Sequence, residues 1–437
     1  MQADLVIRGA QVVDPANEVN RVADVYVAQG HVLDVAPPSE ELPACEVLEA
    51  DGLILCPGLI DAHVHLREPG GEHKETVATG TRAALAGGFT AVCCMPNTDP
   101  PLDRPERLKD LLRIIERDAA CHVFPLAAAV MDEDRSRLSD FAALKAAGAY
   151  GVTDDARPIQ EVAVMRRALL AAEAAGLTLV IHPELESAAA LGVVSDPDVA
   201  EALGVPVMSP AREAEGLRAW HAAAGGGGRL AASLHVAHVS SRETLEALRE
   251  LEAAAILRRV TAETCPHYFA LTSRAVLEAG ADAKMDPPLR SQEDVEAIKK
   301  ALGDDTITVI ATDHAPHAPE EKAAGLGAAP FGIVGLETAV GLVFTCLVYS
   351  GVLTLSQAVA KLTIGPAKAL GLPGGRIEPG CPADLTLIDP EAHWRVDPEH
   401  FASRSRNTPF AGWDLRGRAV TVFLTGRKVM ADGEVLL

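Results

Sequence analysis

The sequence predicts an α/β fold: a (β/α)8 barrel carrying a small β-sandwich domain formed from both chain ends. Three observations carry this reading. Apolar, β-branched runs alternate with Ala/Leu/Glu/Arg-rich stretches through the middle of the 437-residue chain. Both ends are instead rich in short strand-like segments. Polar, chemistry-bearing residues recur where the apolar runs stop. Strands that alternate with helices imply a parallel sheet with right-handed crossovers. Eight such units over roughly 300 residues suit a TIM barrel. A doubly wound open sheet is the alternative, but no strand here is followed by a glycine-rich phosphate fingerprint. Gly225–Gly228 precedes a strand and reads as a loop.

The elements follow in order. In residues 1–57, LVIRGAQVVD, ADVYVAQGHVLDVA and CEVLEADGLILCPG combine β-branched runs with Gly and Asn/Asp turn signals. The barrel is expected over 58–366. Its candidate strands are LIDAHVHL, GFTAVCCMP, HVFPLAAA, AYGVTDD, LTLVIHP, LAASLHVAHVS, Ile256 to Cys265, and TITVIATD. Helical stretches such as ERLKDLLRIIERDA and IQEVAVMRRALLAAEAAG follow most of them. Residues 367–437 return to strands, as in AVTVFLTGRKVMADGEVLL, and are expected to pair with the N-terminal segment.

Composition narrows the function. The charge is 39 − 61 = −22, and 48% of residues are apolar. A disordered polyanion lacks that much apolar surface. Phosphate neutralisation needs clustered Lys/Arg, so no nucleic-acid partner is expected. The eight cysteines contain no Cys-x-x-Cys pair, which argues against a disulfide framework or a thiolate zinc knuckle. MQADLVIRGAQVVD has no basic region followed by an apolar core, so no signal peptide is expected. The apolar stretch Ile333–Leu355 carries Glu337 and three glycines and reads as a helix over a core rather than a membrane span. The chain is expected to be cytoplasmic, without membrane contact.

His63 and His65 stand two apart at the end of the first candidate strand. A strand repeats its side-chain direction every two residues, so both imidazoles share a face. Asp154 and Asp155 end the fourth strand, His182 the fifth, His238 the sixth and Asp313 the eighth. In a TIM barrel these ends converge on one mouth. Histidines and carboxylates without thiolates suit Zn²⁺, Mn²⁺ or a similar ion. Five or six ligands exceed one tetrahedral zinc and fit a two-metal site with a bridging carboxylate and hydroxide. In HVAH the spacing of three puts His235 and His238 on opposite faces, so only one is expected to look inward, and His238 is preferred.

The same residues carry a family resemblance. DAHVHLREPG at 61–70, MPNT at 95–98, TDD at 153–155, His182, HVSS at 238–241, DPPLR at 286–290, ATDHAPH at 311–317 and PFGI at 330–333 resemble the dihydroorotases of the long bacterial type, within the amidohydrolase superfamily. The resemblance implies two divalent metal ions, zinc foremost. His63, His65 and Asp313 would hold the first, His182 and His238 the second, with Asp155 as the bridging carboxylate. It further implies that Arg67 and Asn97 hold the substrate's α-carboxylate, that His65, Asp286, His317 and the Phe331–Gly332 backbone contact the substrate, and that Asp313 is the general acid/base. The implied reaction is the reversible cyclisation of N-carbamoyl-L-aspartate to L-dihydroorotate in pyrimidine biosynthesis. The implied assembly is a homo-oligomer, a dimer, with association to aspartate transcarbamoylase as a further option. Arg67 suits a carboxylate because its planar fork donates two parallel hydrogen bonds. Its bland alternative is an ion pair with Glu68 or Glu72.

Two positions depart from the family pattern. Asp286 stands where Asn is usual, and an anion there would repel an anionic ligand unless paired or protonated; Lys284 and Arg290 are near in sequence. Ala156 stands where Gly is usual. A hydantoinase- or allantoinase-type cyclic amidase and a non-catalytic scaffold homologue are the rival readings. The absence of a ligand lysine at the fourth strand end opposes the first, and the complete ligand set opposes the second. Pro319–Gly332 is a candidate lid. The net charge opposes an anionic substrate, so binding must rest on local charge: two divalent ions, less Asp155 and Asp313, plus Arg67, leave about +3 at the mouth.

Overall fold

The computed structural model describes residues 2–38, 46–155, 157–186 and 192–437. Five strands open the chain: β1 (Leu5–Asp14), β2 (Val19–Ala28), β3 (His31–Ala36), β4 (Glu46–Glu49) and β5 (Ile54–Pro57). Eight parallel strands follow: β6 (Leu59–Val64), β7 (Phe89–Cys94), β8 (His122–Ala128), β9 (Gly151–Thr153), β10 (Thr178–Ile181), β11 (Ser233–Val236), β12 (Arg259–Thr264) and β13 (Val309–Ile310). The chain ends with β14 (Leu385–Arg395), β15 (Asp414–Leu424), β16 (Arg427–Ala431) and β17 (Glu434–Val435).

The strands β6 to β13 pair in chain order. The seam is nearly closed: Val64 bridges to His314, and His65 N donates to His314 O at 2.8 Å. Asp61 fastens the same seam. Its carboxylate accepts from Thr312 N at 3.1 Å, Thr312 Oγ1 at 2.6 Å and His63 N at 3.0 Å. Burial pushes the Asp61 carboxyl up to about 7.

The pleat explains the packing. Alternate residues of the barrel strands, among them Ile60, Ala62, Ala91, Cys93, Leu126 and Val180, form one buried cluster with Ile364, Ala367 and Leu370. Their neighbours Leu59, Val92, Cys94 and Leu179 belong instead to the cluster shared with the surrounding helices. Those helices start where the sequence caps them: Thr76, Ser241 and Ser291 each accept a backbone N–H of the first turn.

The two chain ends meet as expected. β5 runs antiparallel to β14, with Leu55 opposite Leu387, and parallel to β1. All nine remaining strands thus form one mixed sheet with its own buried cluster around Ile7, Val25, Leu55, Leu387 and Phe423.

Ile333–Leu355 is not one continuous helix. A short α-helix, Ala339–Val343, passes into a π-helical turn, Phe344–Val348. Among the described residues no helix is long and apolar enough to cross a membrane. The described cysteines are all free thiols.

Candidate active site

Each strand end delivers its residue to the same place. His63, His65, Asp155, His182, His238 and Asp313 are all buried. One ligand atom each from His63, His65 and Asp313 lies within 4.8 Å of the others, and the same holds for His63, Asp155 and His238. His182 joins through Asp155, its Nδ1 3.5 Å from Asp155 Oδ1, and its ring centroid stands 4.4 Å from that of His238.

The donor set fits metal ions. His63 Nδ1–H donates to Glu263 Oε1 at 2.8 Å, which leaves its Nε2 lone pair facing Asp313 Oδ1 at 3.6 Å and Asp155 Oδ2 at 3.9 Å. His65 Nδ1–H donates to Asn97 Oδ1 at 2.9 Å, and its Nε2 faces Asp313 Oδ1 at 3.1 Å. An imidazole nitrogen aimed at a carboxylate calls for a cation between them, a proton or a metal ion. His63 Nε2, His182 Nδ1 and His238 Nδ1 are buried and have no hydrogen-bond partner. Unpartnered buried nitrogens are costly in a protein that needs them for nothing else.

The electrostatics agree. Burial opposes the charged form of His63, yet Asp313, Glu263 and Asp155 outweigh it and push its pKa up to about 10. Burial alone would raise the carboxyls of Asp155 and Asp313, but the surrounding imidazoles hold both well below the ordinary range. His238 is pushed down to about 3, by burial first and then by His182 and His63.

Three non-glycine residues here sit in the left-handed region: Arg67 at φ 60°, His238 at 32° and Asp313 at 48°. Each such conformation costs about 1–3 kcal/mol and persists only where the surroundings impose it.

Sequence reasoning missed the carboxylates behind the ligands. Glu263, inside β12, accepts from His63 with one oxygen and from His235 Nε2 with the other at 3.0 Å. His235 and His238 therefore converge on the same cluster, contrary to the expectation that only one looks inward. Strand alternation stops at Val236, and the turn at His238 re-aims its ring. Glu184, two residues after His182, lies 3.4 Å from His182 Nε2 and is paired with Arg212 at 3.0 Å. A charge in the middle of the β12 strand was the available signal for Glu263. Asp154 is no ligand: its oxygens accept His182 N at 2.8 Å and Ile159 N at 2.9 Å, which holds the backbone.

Arg67 makes no ion pair with Glu68 or Glu72, whose carboxylates accept from Val77 N and Gly70 N. Its Nε donates to Pro316 O at 3.2 Å, and Nη2 lies 3.3 Å from His317 Nε2. His317 Nε2–H donates to Phe331 O at 2.8 Å, while Lys74 Nζ approaches its Nδ1 at 3.5 Å. Burial, Arg67 and Lys74 push His317 down to about 3, so the ring is neutral. Among the described residues this half-buried guanidinium has no salt-bridged carboxylate, and such a group is prepared for an anion. Asn97 Nδ2 also reaches Asp155 Oδ2 at 3.4 Å.

Asp286 is not neutralised by its sequence neighbours. Lys284 Nζ is bound to backbone carbonyls, and Arg290 pairs with Glu213 at 3.1 Å. Asp286 instead stands with His182 and Glu184, ligand atoms within 4.8 Å. Burial first, then Glu184, push its carboxyl up to about 7. Ala156 lies outside the described residues.

An eight-stranded parallel barrel with a histidine and carboxylate cluster at its mouth defines a class, and residues 54–429 match the Amidohydrolase family. The chain is 44% identical over 429 residues to the dihydroorotase of Pelotomaculum thermopropionicum, covering 98% of this chain and 99% of that one. It is 45% identical over 388 residues to the dihydroorotase of Bacillus caldolyticus, covering 89% and 90%. The chain belongs to the amidohydrolase family, and within it to the dihydroorotases. Among solved structures, the L-hydantoinase of Arthrobacter aurescens superposes with a TM-score of 0.88 over 100% of this chain and 98% of that one. The dihydropyrimidinase of Brevibacillus agri superposes with a TM-score of 0.82 over 99% and 96%. At 22% identity each, these two share the fold alone.

Proposed function

We propose that this site interconverts N-carbamoyl-L-aspartate and L-dihydroorotate with two divalent ions, zinc foremost. His63, His65 and Asp313 would hold one and His182 and His238 the other, with Asp155 between them. The observation that carries this reading is the set of three buried, unpartnered imidazole nitrogens beside two ionised carboxylates. Such ions, when bound, lower the pKa of a water and polarise a carbonyl.

The chain's own residues supply the rest. Arg67 and Asn97 bind the α-carboxylate, and His317 and the Phe331–Gly332 backbone orient the ring. As a water adds to the ring carbonyl, Asp313, held ionised by His63 and His65, accepts the water's proton on its carboxylate and delivers it to the amide nitrogen as the carbon–nitrogen bond breaks. Ring closure reverses that transfer. Glu263 and Glu184 orient His63 and His182 from behind.

The same reading places the barrel domain at 58–366 between the two halves of a β domain, and the enzyme in the cytoplasm as a dimer that can associate with aspartate transcarbamoylase. Metal counting together with turnover of Asp313→Asn tests the core of it. Assayed with metal in excess so that both sites are counted as filled, the variant should lose turnover by at least about 100-fold, the size of a general acid/base contribution. Retained turnover would refute the role.

A further inference from the structure

Residues 319–332 contain the run AAGLGAAPFG, which has almost no side chain with which to hold itself in place. Gly- and Ala-rich backbone loses much entropy when ordered. The Gly/Ala run is nevertheless fixed, by side chains that precede it or come from elsewhere in the chain. Lys284 Nζ donates to the carbonyls of Leu326 at 2.8 Å, Gly327 at 3.2 Å and Ala329 at 2.5 Å. Lys322 Nζ donates to Pro330 O at 3.1 Å and Gly332 O at 2.9 Å. Asn407 Nδ2 also donates to Gly332 O, at 3.0 Å, and Gly332 N donates to Lys284 O at 2.9 Å. Lys74 pins the start of the segment through Glu321 at 3.0 Å.

Lys284 and Lys322 are 3% and 7% exposed, and among the described residues neither forms a salt bridge with a carboxylate. Lys284 Nζ also stands 4.4 Å from the centroid of the Phe331 ring, a cation–π contact with the segment itself. Burying an ammonium on carbonyls and a ring face without a paired carboxylate is costly, so the arrangement points to a role in holding this segment. Lys322 holds the carbonyls on either side of Phe331, and Lys284 holds the approach to it at 326–329 with its ammonium and Gly332 N with its own carbonyl. Gly332 has φ +130°, and a Cβ there would lie 2.6 Å from Ala315 Cβ and 3.2 Å from His317 Nε2. The wall therefore packs directly on the ring that Arg67 and Lys74 approach.

We propose that Lys284 and Lys322 are positioning residues for the reaction: their ammonium groups cage the 326–332 carbonyls and hold Phe331–Gly332 as a standing wall of the substrate site, not a lid that opens with each turnover. The inference rests on the proposed contact between Phe331–Gly332 and substrate.

The test uses the full metal-loaded chain, with Lys284→Met and Lys322→Met made separately. Hydrogen exchange of the 326–333 peptide is measured beside the steady-state constants and the metal content. Each variant should speed exchange of that peptide and raise KM for dihydroorotate about tenfold or more, with kcat within about threefold and metal content unchanged, the pattern of lost binding geometry. Unchanged exchange in both variants overturns the caging role. Faster exchange with an unmoved KM refutes the substrate contact at Phe331–Gly332, and with it the positioning role. Wild-type protein supplies a check free of folding effects: the peptide should exchange equally slowly with and without dihydroorotate. Marked protection on adding ligand would mean a lid and would overturn the proposal.

Discussion

Replacing Glu263 with Gln keeps the shape and volume of the side chain and removes one charge. In the native arrangement its two oxygens accept from His63 at 2.8 Å and His235 at 3.0 Å, all three side chains being buried. Gln can still accept from His63 with its oxygen. Its amide can donate to His235 Nε2 if that ring shifts its proton to Nδ1, where Thr261 Oγ1 stands at 2.8 Å. No donor is orphaned, so the cost is the change from charge-assisted to neutral hydrogen bonds. That is about 1 kcal/mol per bond, or about 2 kcal/mol for the pair. If the loss appears in the metal-bound state, affinity for the ion held by His63 falls roughly 30-fold, within the 10–100-fold expected for a partner behind a metal ligand. The assay is titration of metal-free protein with Zn²⁺ or Co²⁺ against a chelator of known affinity, with thermal unfolding to verify the fold. The weakening should fall on one ion and spare the other. Both affinities within about twofold of wild type would refute the claim that Glu263 tunes His63.

Further substitutions probe other parts of the site. Asp286→Asn should leave KM unchanged or lower it, because it removes an anion held beside Glu184; a large loss of kcat/KM would assign Asp286 a role of its own. Arg67→Met should raise KM for dihydroorotate by roughly 10–100-fold, the value of one charge-assisted hydrogen bond or more, with metal content intact; an unchanged KM would mean the carboxylate binds elsewhere. His317 has a folded pKa of about 3 against an ordinary 6.5, so the unfolded chain takes up its proton first and stability falls as pH drops below 6.5. Between pH 6.5 and 5 that amounts to about 2 kcal/mol. His317→Gln should flatten the acid limb of a denaturation series by up to that amount, and an unaltered limb would show that the ring is not held neutral.

The parts of this account legible in the sequence share one physical basis. Period-two alternation places His63 and His65 on one face, and the position of a polar residue after an apolar run places Asp155, His182 and Asp313 at one mouth. The readings that failed depended on what happens after a strand ends. His235 and His238 were separated by an alternation that no longer operates beyond Val236. Asp286 was matched with Lys284 and Arg290 because they are near in sequence, whereas its neighbour in space, Glu184, comes from another strand end. The lysine cages left no trace at all, since their acceptors are main-chain carbonyls that every residue possesses. Glu263 was visible as a charge within a strand, but its meaning required knowing that β12 faces His63 across the barrel.

The most direct test of the central claim is a parallel turnover assay on protein stripped of metal and reconstituted with counted Zn²⁺, given dihydroorotate, hydantoin and allantoin. The account predicts turnover of dihydroorotate that saturates at two ions per chain, as a site with two ions and a carboxylate between them requires, with the other two substrates far slower. No turnover of dihydroorotate with two equivalents bound would contradict it.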